Sequence, residues 1–179
     1  MKSLLILGAG GFGRMVKETA LALGYEKVLF LDDTAKDNDV IGRCCDYHLY
    51  HRDYSVAVAA FGNNKTRLFW TRKLLEEEYE VPAIVHPSAI VSPSVTLEPG
   101  CFIMQRAVVN MNTTIRMAAL INSGAVVDHD SIVEEGAHVG LGSVVKAHCV
   151  IEPGRKVEAG EVIFSTRRTI EGADSRSLE

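Results

Sequence analysis

Two units of different class are predicted for this 179-residue chain. The first is an α/β half-Rossmann (βαβαβ) domain over residues 1–84. The second is an all-β parallel β-helix of hexapeptide repeats over residues 85–168, with a polar tail, 169–179. Three observations predict them. A strict period of six runs from Val85 to Arg168. A short apolar run at the amino terminus opens directly onto a glycine-rich turn. Two further apolar runs recur before the periodic stretch begins.

In order, Ser3 to Leu7 is short and wholly apolar after its first residue, and reads as a buried strand. Gly8-Ala9-Gly10-Gly11-Phe12-Gly13 follows at once, and Arg14 to Leu23 reads as a helix ended near Gly24. Lys27 to Leu31 is a second strand, closing on Asp32-Asp33. This is a βαβ unit with G-x-G-x-x-G at the strand-to-helix turn and an acid about twenty positions on. Glycines let a backbone approach a phosphate closely, and a helix N-terminus supplies free N–H groups and positive potential. Gly8, Gly10, Gly11 and Gly13 are therefore candidate binding residues. Ser55 to Phe61 reads as a third strand, Lys65 to Tyr79 as a helix, and Val81 to Val85 as the lead into the repeat. Asp33 to Asp53 reads as irregular, with Cys44 and Cys45 incidental. A dinucleotide needs two mononucleotide halves, and the residues before the repeat hold one. A single nucleotide carrying a diphosphate fits better than NAD, and a purely structural fold is the remaining alternative.

Cut into sixes from Val85, the next stretch puts an aliphatic residue first in every block: Val85, Val91, Leu97, Ile103 and so on to Ile163, fourteen of fourteen. The fifth position is small in most blocks, as at Ala89, Cys101, Ala107, Ala119, Ala125, Ser131 and Cys149. A helix repeating near 3.6 residues does not hold a period of six. Six is even, so extended segments keep the same residues on the same face, and bends between them wind a coil with an aliphatic interior.

Composition sets the outer limits. A net charge of −4, with 47% apolar and 23% charged residues, argues against nucleic acid or an anionic membrane as the main partner. The four cysteines show neither metal nor disulfide spacing. No stretch has the apolar length of a membrane span. The run from Met1 to Leu7 is short for a signal peptide and leads into a glycine loop rather than a cleavage site, so the cytoplasm is the expected location.

Three of the six histidines, His129, His138 and His148, fall late in the repeat. His129 sits in Val127-Asp128-His129-Asp130, flanked by carboxylates on both sides. A carboxylate fixes a histidine's tautomer and raises its basicity, as a general base near neutral pH requires. A solvated histidine among acids would look the same. A coil of three hexads has 18 residues, so residues 18 apart should stack. The histidines differ by 9, 10 and 19, so three metal ligands from one chain are not expected.

Several stretches together carry a resemblance: Leu7-Gly8-Ala9-Gly10-Gly11-Phe12-Gly13-Arg14, Leu31-Asp32-Asp33, Phe61-Gly62-Asn63-Asn64-Lys65-Thr66-Arg67, Val85-His86-Pro87-Ser88-Ala89 and Ser123-Gly124-Ala125-Val126-Val127-Asp128-His129-Asp130. The chain resembles bacterial acyltransferases that pair a short nucleotide-sugar-binding domain with a left-handed β-helix. The UDP-4-amino-sugar N-acetyltransferases of bacillosamine biosynthesis are the nearest in kind, with sialic acid O-acetyltransferases as cousins. The resemblance implies a left-handed coil and a homotrimer with acetyl-CoA in the grooves between neighbouring coils. It implies His129 as general base with Asp130, where relatives often carry Glu, as its partner. His138, Gly140 and Ala147 would lie along the cofactor. The sugar nucleotide would meet Gly8, Gly10, Gly11, Phe12 (often His in relatives), Gly13, Arg14, Asp32, Asp33, Gly62, Asn63, Asn64 and Arg67. The carboxyl end departs from the relatives, which close with further coils. Here Arg167 and Arg168 either meet the CoA phosphates or are solvated residues blunting a strand edge.

The expected activity is acetyl-CoA-dependent N-acetylation of the 4-amino group of a UDP-linked 4-amino-4-deoxy sugar. Direct transfer in a ternary complex, without an acyl-enzyme, is expected because no cysteine or serine sits beside His129 as an activated nucleophile; no metal is expected. The rivals are a sugar or sialic acid O-acetyltransferase, a non-enzymatic nucleotide-sugar-binding trimeric scaffold, and a zinc hydrolase of the γ-type carbonic anhydrase kind.

Overall fold

The computed structural model describes residues 2–164. Parallel strands β1 (Ser3–Leu7), β2 (Lys27–Leu31), β3 (Val40–Gly42) and β4 (Ala57–Ala59) form one sheet in the order β3-β2-β1-β4. Helices α1 (Gly11–Ala22) and α2 (Asn64–Glu76) follow β1 and β4. Leu4 to Leu7, Phe30, Leu31 and Ala57 to Ala60 are all buried, which explains their continuous apolar runs.

The structure shifts several predicted boundaries. Helix α1 starts three residues before Arg14, because Gly10 is extended and caps a first turn that the glycines themselves enter. Helix α2 stops at Glu76, with Glu78 in the left-handed region at φ 62°. The third predicted strand shrinks to Ala57–Ala59. The stretch read as irregular holds β3 and a 3₁₀ helix, Cys44–Leu49. Three residues of strand are too few to display an alternation.

From Ile84 onward fourteen two-residue strands, β5 (Ile84–Val85) to β18 (Val162–Ile163), stack into three flat parallel sheets. Register is 18 residues per coil: Val85 pairs with Ile103, Ile103 with Ile121, Ile121 with Val139 and Val139 with Val157. The first residue of each hexad points inward, and Ile103, Val109, Ile115, Ile121, Val127, Val133, Val139, Val145, Ile151 and Val157 are fully buried. The three sheets make the faces of a triangular prism. The first face carries β5, β8, β11, β14 and β17, the second β6, β9, β12, β15 and β18, the third β7, β10, β13 and β16. The corners have one cause. From Gly100 to Gly160 every fourth hexad residue is left-handed, whether glycine or not, as at Arg106 (φ 58°), Asn112 (57°), Asp130 (55°) and His148 (59°).

The α/β unit sits on the first face, where the outward residues Ile84, Phe102 and Leu120 are buried in its core. Phe12 packs edge-on against Phe102 at 5.1 Å between ring centroids. The main polar link is Arg67, which is completely buried. Its Nε donates to the Ala118 carbonyl (2.8 Å), Nη1 to that of Phe61 (3.0 Å), and Nη2 to that of Gly136 and to Asn64 Oδ1 (both 3.0 Å). No helix among the described residues is long and apolar enough to cross a membrane.

Candidate active site

A cavity of about 440 Å³ opens at the carboxyl ends of β1, β2 and β4, lined by Gly8, Gly10, Gly11, Phe12, Asp33, Phe61 and Gly62 among others. It lies beside β1, where the sheet order steps outward in both directions, the place where open α/β sheets hold ligands. The four glycines divide the work. Gly8 has φ +100°, open to glycine almost alone. A Cβ on Gly13 would fall 1.9 Å from the Gly8 carbonyl oxygen, so its bareness serves strand–helix packing. Nothing lies within 4 Å of a Cβ on Gly10 or Gly11, and that backbone is open to a ligand. Gly13→Ala is expected to destabilise the fold by about 1–3 kcal/mol, the usual range for overpacking, as a lowered Tm.

Asp32 and Asp33 prove to have different jobs. Asp32 accepts from the backbone of Ala9, Thr34 and Ala35 and from the Thr34 hydroxyl, all within 2.9 Å. Burial opposes its charge, but these donors outweigh it and hold the carboxyl down to about 2. Asp32 therefore fixes the glycine loop, while Asp33 is exposed at the cavity edge, its Oδ1 accepting from Cys44 N at 3.1 Å and lying 3.6 Å from Arg43 Nε. Arg14, expected at the substrate, pairs instead with Asp37 and does not line the cavity.

A second cavity of about 610 Å³ shares Gly62 with the first and runs down to the coil, between Asn63, Asn64, Lys65, His138, Gly154 and Lys156. Asn63 caps α2, its Oδ1 accepting from Thr66 N at 3.0 Å. Asn64 donates to the Gly154 carbonyl (3.0 Å) and accepts from Arg67. The expectation of Arg67 as a substrate ligand is corrected: its donors are spent on protein carbonyls that a folded coil must satisfy.

His138 projects from the first face between these groups. Asn122 Oδ1 accepts from Ser123 N at 2.8 Å, which turns the Asn122 amide nitrogen toward His138 Nε2 at 3.1 Å. Nε2 therefore accepts, and the ring proton is on Nδ1, a buried donor with no partner among the described residues. Burial, helped by the charges of Arg67 and Lys156, lowers the His138 pKa to about 4. An unfolded chain takes this proton below about 6.5 and the folded one only below about 4. Stability should then fall as pH drops through that window, and His138→Asn should flatten urea midpoints measured across it.

His129 occupies the corner between the second and third faces. Its Nδ1 lies 2.7 Å from Asp130 Oδ2, so Asp reaches the ring despite being shorter than Glu. A carboxylate only accepts, so Nδ1 carries the proton and Nε2 keeps a lone pair. The other flanking acid turns away: Asp128 Oδ1 accepts from His129 N and from Asn110 Nδ2, both 2.9 Å. Asn112 Nδ2 donates to Asp130 Oδ1 at 3.2 Å. Hydrogen bonds from His129 and Asn112 lower the Asp130 pKa and keep it ionised. Ala147 lies on the same corner, one coil on.

Sequence spacing missed one member of this group. His148, expected out of line with His129, packs edge-on against it at 5.2 Å between ring centroids. The residue stacked under His148 is Asp130, 18 positions earlier and equally left-handed, which brings His148 alongside His129. Gly140, expected at the cofactor, is explained by packing: a Cβ there would sit 2.5 Å from the Val157 carbonyl oxygen. Arg168, and Arg167 beside it, lie outside the described residues.

The corner holding His129 lies opposite the face holding His138 and both cavities. One chain therefore does not bring His129 to either of its own cavities.

Comparison with known proteins bears on both halves. The PglD N-terminal domain family matches residues 3–74. The acetyltransferase domain of PglB from Neisseria gonorrhoeae FA1090, in complex with acetyl coenzyme A, is similar at 28% identity and a TM-score of 0.79, over 90% of this chain and 92% of that one. PerB from Caulobacter crescentus, in complex with CoA and GDP-perosamine, is similar at 29% identity and a TM-score of 0.79, over 92% of this chain and 89% of its own. WeeI from Acinetobacter baumannii AYE, at 18% identity and a TM-score of 0.69 with 92% of each chain covered, shares the fold. The chain is thus an acyltransferase in which a domain matching the PglD N-terminal family over residues 3–74 precedes a left-handed β-helix, in the manner of these similar acetyltransferases.

Proposed function

We propose that this enzyme is a cytoplasmic homotrimer that moves the acetyl group of acetyl-CoA onto the 4-amino group of a UDP-linked 4-amino-4-deoxy sugar. The observation that carries the reading is the path of two cavities sharing Gly62, from the open backbone of Gly10 and Gly11 down to His138 on the coil. A nucleotide diphosphate on the glycine loop leaves its sugar in the second cavity. Support for the donor and for the acceptor class comes from the similar proteins, which hold acetyl coenzyme A in one case and CoA with GDP-perosamine in another. UDP rather than GDP follows the sequence resemblance.

The base then comes from a neighbouring chain, since His129 lies opposite its own cavities. The second face supports such an assembly. Its outward column reads Ile90, Val108, Val126, Val144 and Val162, with Ile90 67% and Val162 42% exposed in the single chain. A run of in-register apolar residues of this kind is a surface for a second copy.

In the reaction the amine nitrogen attacks the thioester carbonyl carbon, and a C–N bond forms as the carbonyl oxygen takes up negative charge. His129 Nε2 accepts the amine proton, with Asp130 stabilising the imidazolium. The C–S bond breaks, and the proton passes to the departing thiolate to give the amide and free CoA. Backbone N–H groups of the coil are the donors proposed for the oxyanion, each such donor being commonly worth about 3 kcal/mol. Holding both substrates in line supplies roughly 7–11 kcal/mol of orientation advantage.

Thiol release from acetyl-CoA with a UDP-4-amino sugar, a GDP-4-amino sugar and sialic acid as acceptors tests the reading. Release with the UDP-amino sugar and an N-acetyl product is expected. Transfer only to a sialic acid hydroxyl, or nucleotide-sugar binding without any release, would refute it.

A further inference from the structure

We infer that His129, Asp130 and His148 form a binding site for a divalent transition-metal cation of the Zn²⁺ class, and that filling it shuts the transferase off. The inhibitory half rests on His129 being the base; the cation site itself does not.

The coil builds the site by register. Asp130 and His148 occupy the left-handed fourth position of hexads one coil apart, with φ 55° and 59°, so their side chains leave the same corner one above the other. Asn112, one coil below, takes up Asp130 Oδ1 and turns Oδ2 toward His129. The His148 backbone N–H donates to the His129 carbonyl at 3.1 Å, and this ties the two coils at the level of the rings. One ligand atom from each of the three residues lies within 4.8 Å of the other two.

A tetrahedral ion with bonds of about 2.0–2.1 Å draws its ligands to about 3.3 Å from one another. Asp130 and His148 are exposed and His129 is a third exposed, so rotation of these side chains closes the gap without moving backbone. Two imidazoles and one carboxylate favour Zn²⁺, Co²⁺ or Ni²⁺ over Mg²⁺ and Ca²⁺, which prefer all-oxygen shells. Three protein ligands leave a fourth position to water. A cation there takes imidazole lone pairs and the Asp130 charge together, so His129 no longer accepts a proton.

The test uses the metal-free full chain, titrated with Co²⁺ by visible absorption and with Zn²⁺ by calorimetry, alongside thiol release. One ion per chain is expected, with the intense visible bands of tetrahedral Co²⁺. Loss of turnover on adding Zn²⁺ should be reversed by a chelator and not reproduced by Mg²⁺. His148→Gln should weaken Co²⁺ and Zn²⁺ binding by at least the roughly 10–100-fold that loss of an outer-shell partner costs a metal site. No Co²⁺ binding by the parent, or equal binding by His148→Gln, overturns the site. Stoichiometric binding with full turnover leaves the site standing and overturns both the inhibition and the role of His129 as base.

Discussion

His129→Ala is expected to lower kcat by roughly 10² or more, the lower end of what a lost general base costs, with sugar-nucleotide affinity nearly unchanged. The split between the two constants follows from placement. His129 sits on the corner between the second and third faces, whereas the residues that would hold the nucleotide lie on and above the first. Removing the imidazole removes a proton acceptor without touching the glycine loop. Asp130→Asn, which leaves a neutral partner beside Nδ1, should lower kcat less than the loss of the ring, because Nε2 stays in place. A His129→Ala enzyme with near-normal turnover would take the residue out of the mechanism.

Arg67→Met is expected to cost about 3–5 kcal/mol of stability, toward the lower end of what orphaning three buried carbonyls costs. Methionine fills much of the volume but leaves the carbonyls of Phe61, Ala118 and Gly136 without their donor, at about 1–3 kcal/mol for each buried group so orphaned. In a chain of this size that is a fall in Tm of about 6–20 °C. Burial already lowers the Arg67 pKa to about 10, so the group stays charged at neutral pH. Arg67→Lys retains the charge and loses the fork, and should fall between the two. If Arg67→Met melted normally but failed to bind nucleotide, the side chain would be a substrate ligand after all.

How much of this was legible in the sequence depends on whether neighbours along the chain or neighbours in space decide each feature. The coil was legible because every inward position must be aliphatic, and Val85 to Ile163 keeps the beat. Its corners were harder. Arg106, Ala118 and His148 do not look like turn residues, yet each is left-handed because it falls fourth in its hexad. Counting only histidines, 19 apart, hid the fact that Asp130 and His148 are 18 apart and stack. Arg67 shows the opposite failure. A motif places it near the glycine-loop partner segment, but its acceptors lie 51 and 69 residues downstream, beyond local pattern. Asp32 and Asp33 look alike in sequence, and only the folded loop shows that Asp32 takes the backbone N–H groups of Ala9, Thr34 and Ala35 while Asp33 takes that of Cys44 alone.

The division of the site between two chains is open to one decisive measurement. Gly11→Asp should spoil diphosphate binding while folding normally, since nothing crowds that position and an acid suits the first turn of a helix. His129→Ala spoils the base alone. Each variant by itself should be inactive, and mixed trimers refolded from equal amounts should regain about a quarter of wild-type turnover, the chance that an intact head meets an intact His129 across one interface. Mixed trimers as dead as their parents would contradict a base supplied by the neighbouring chain.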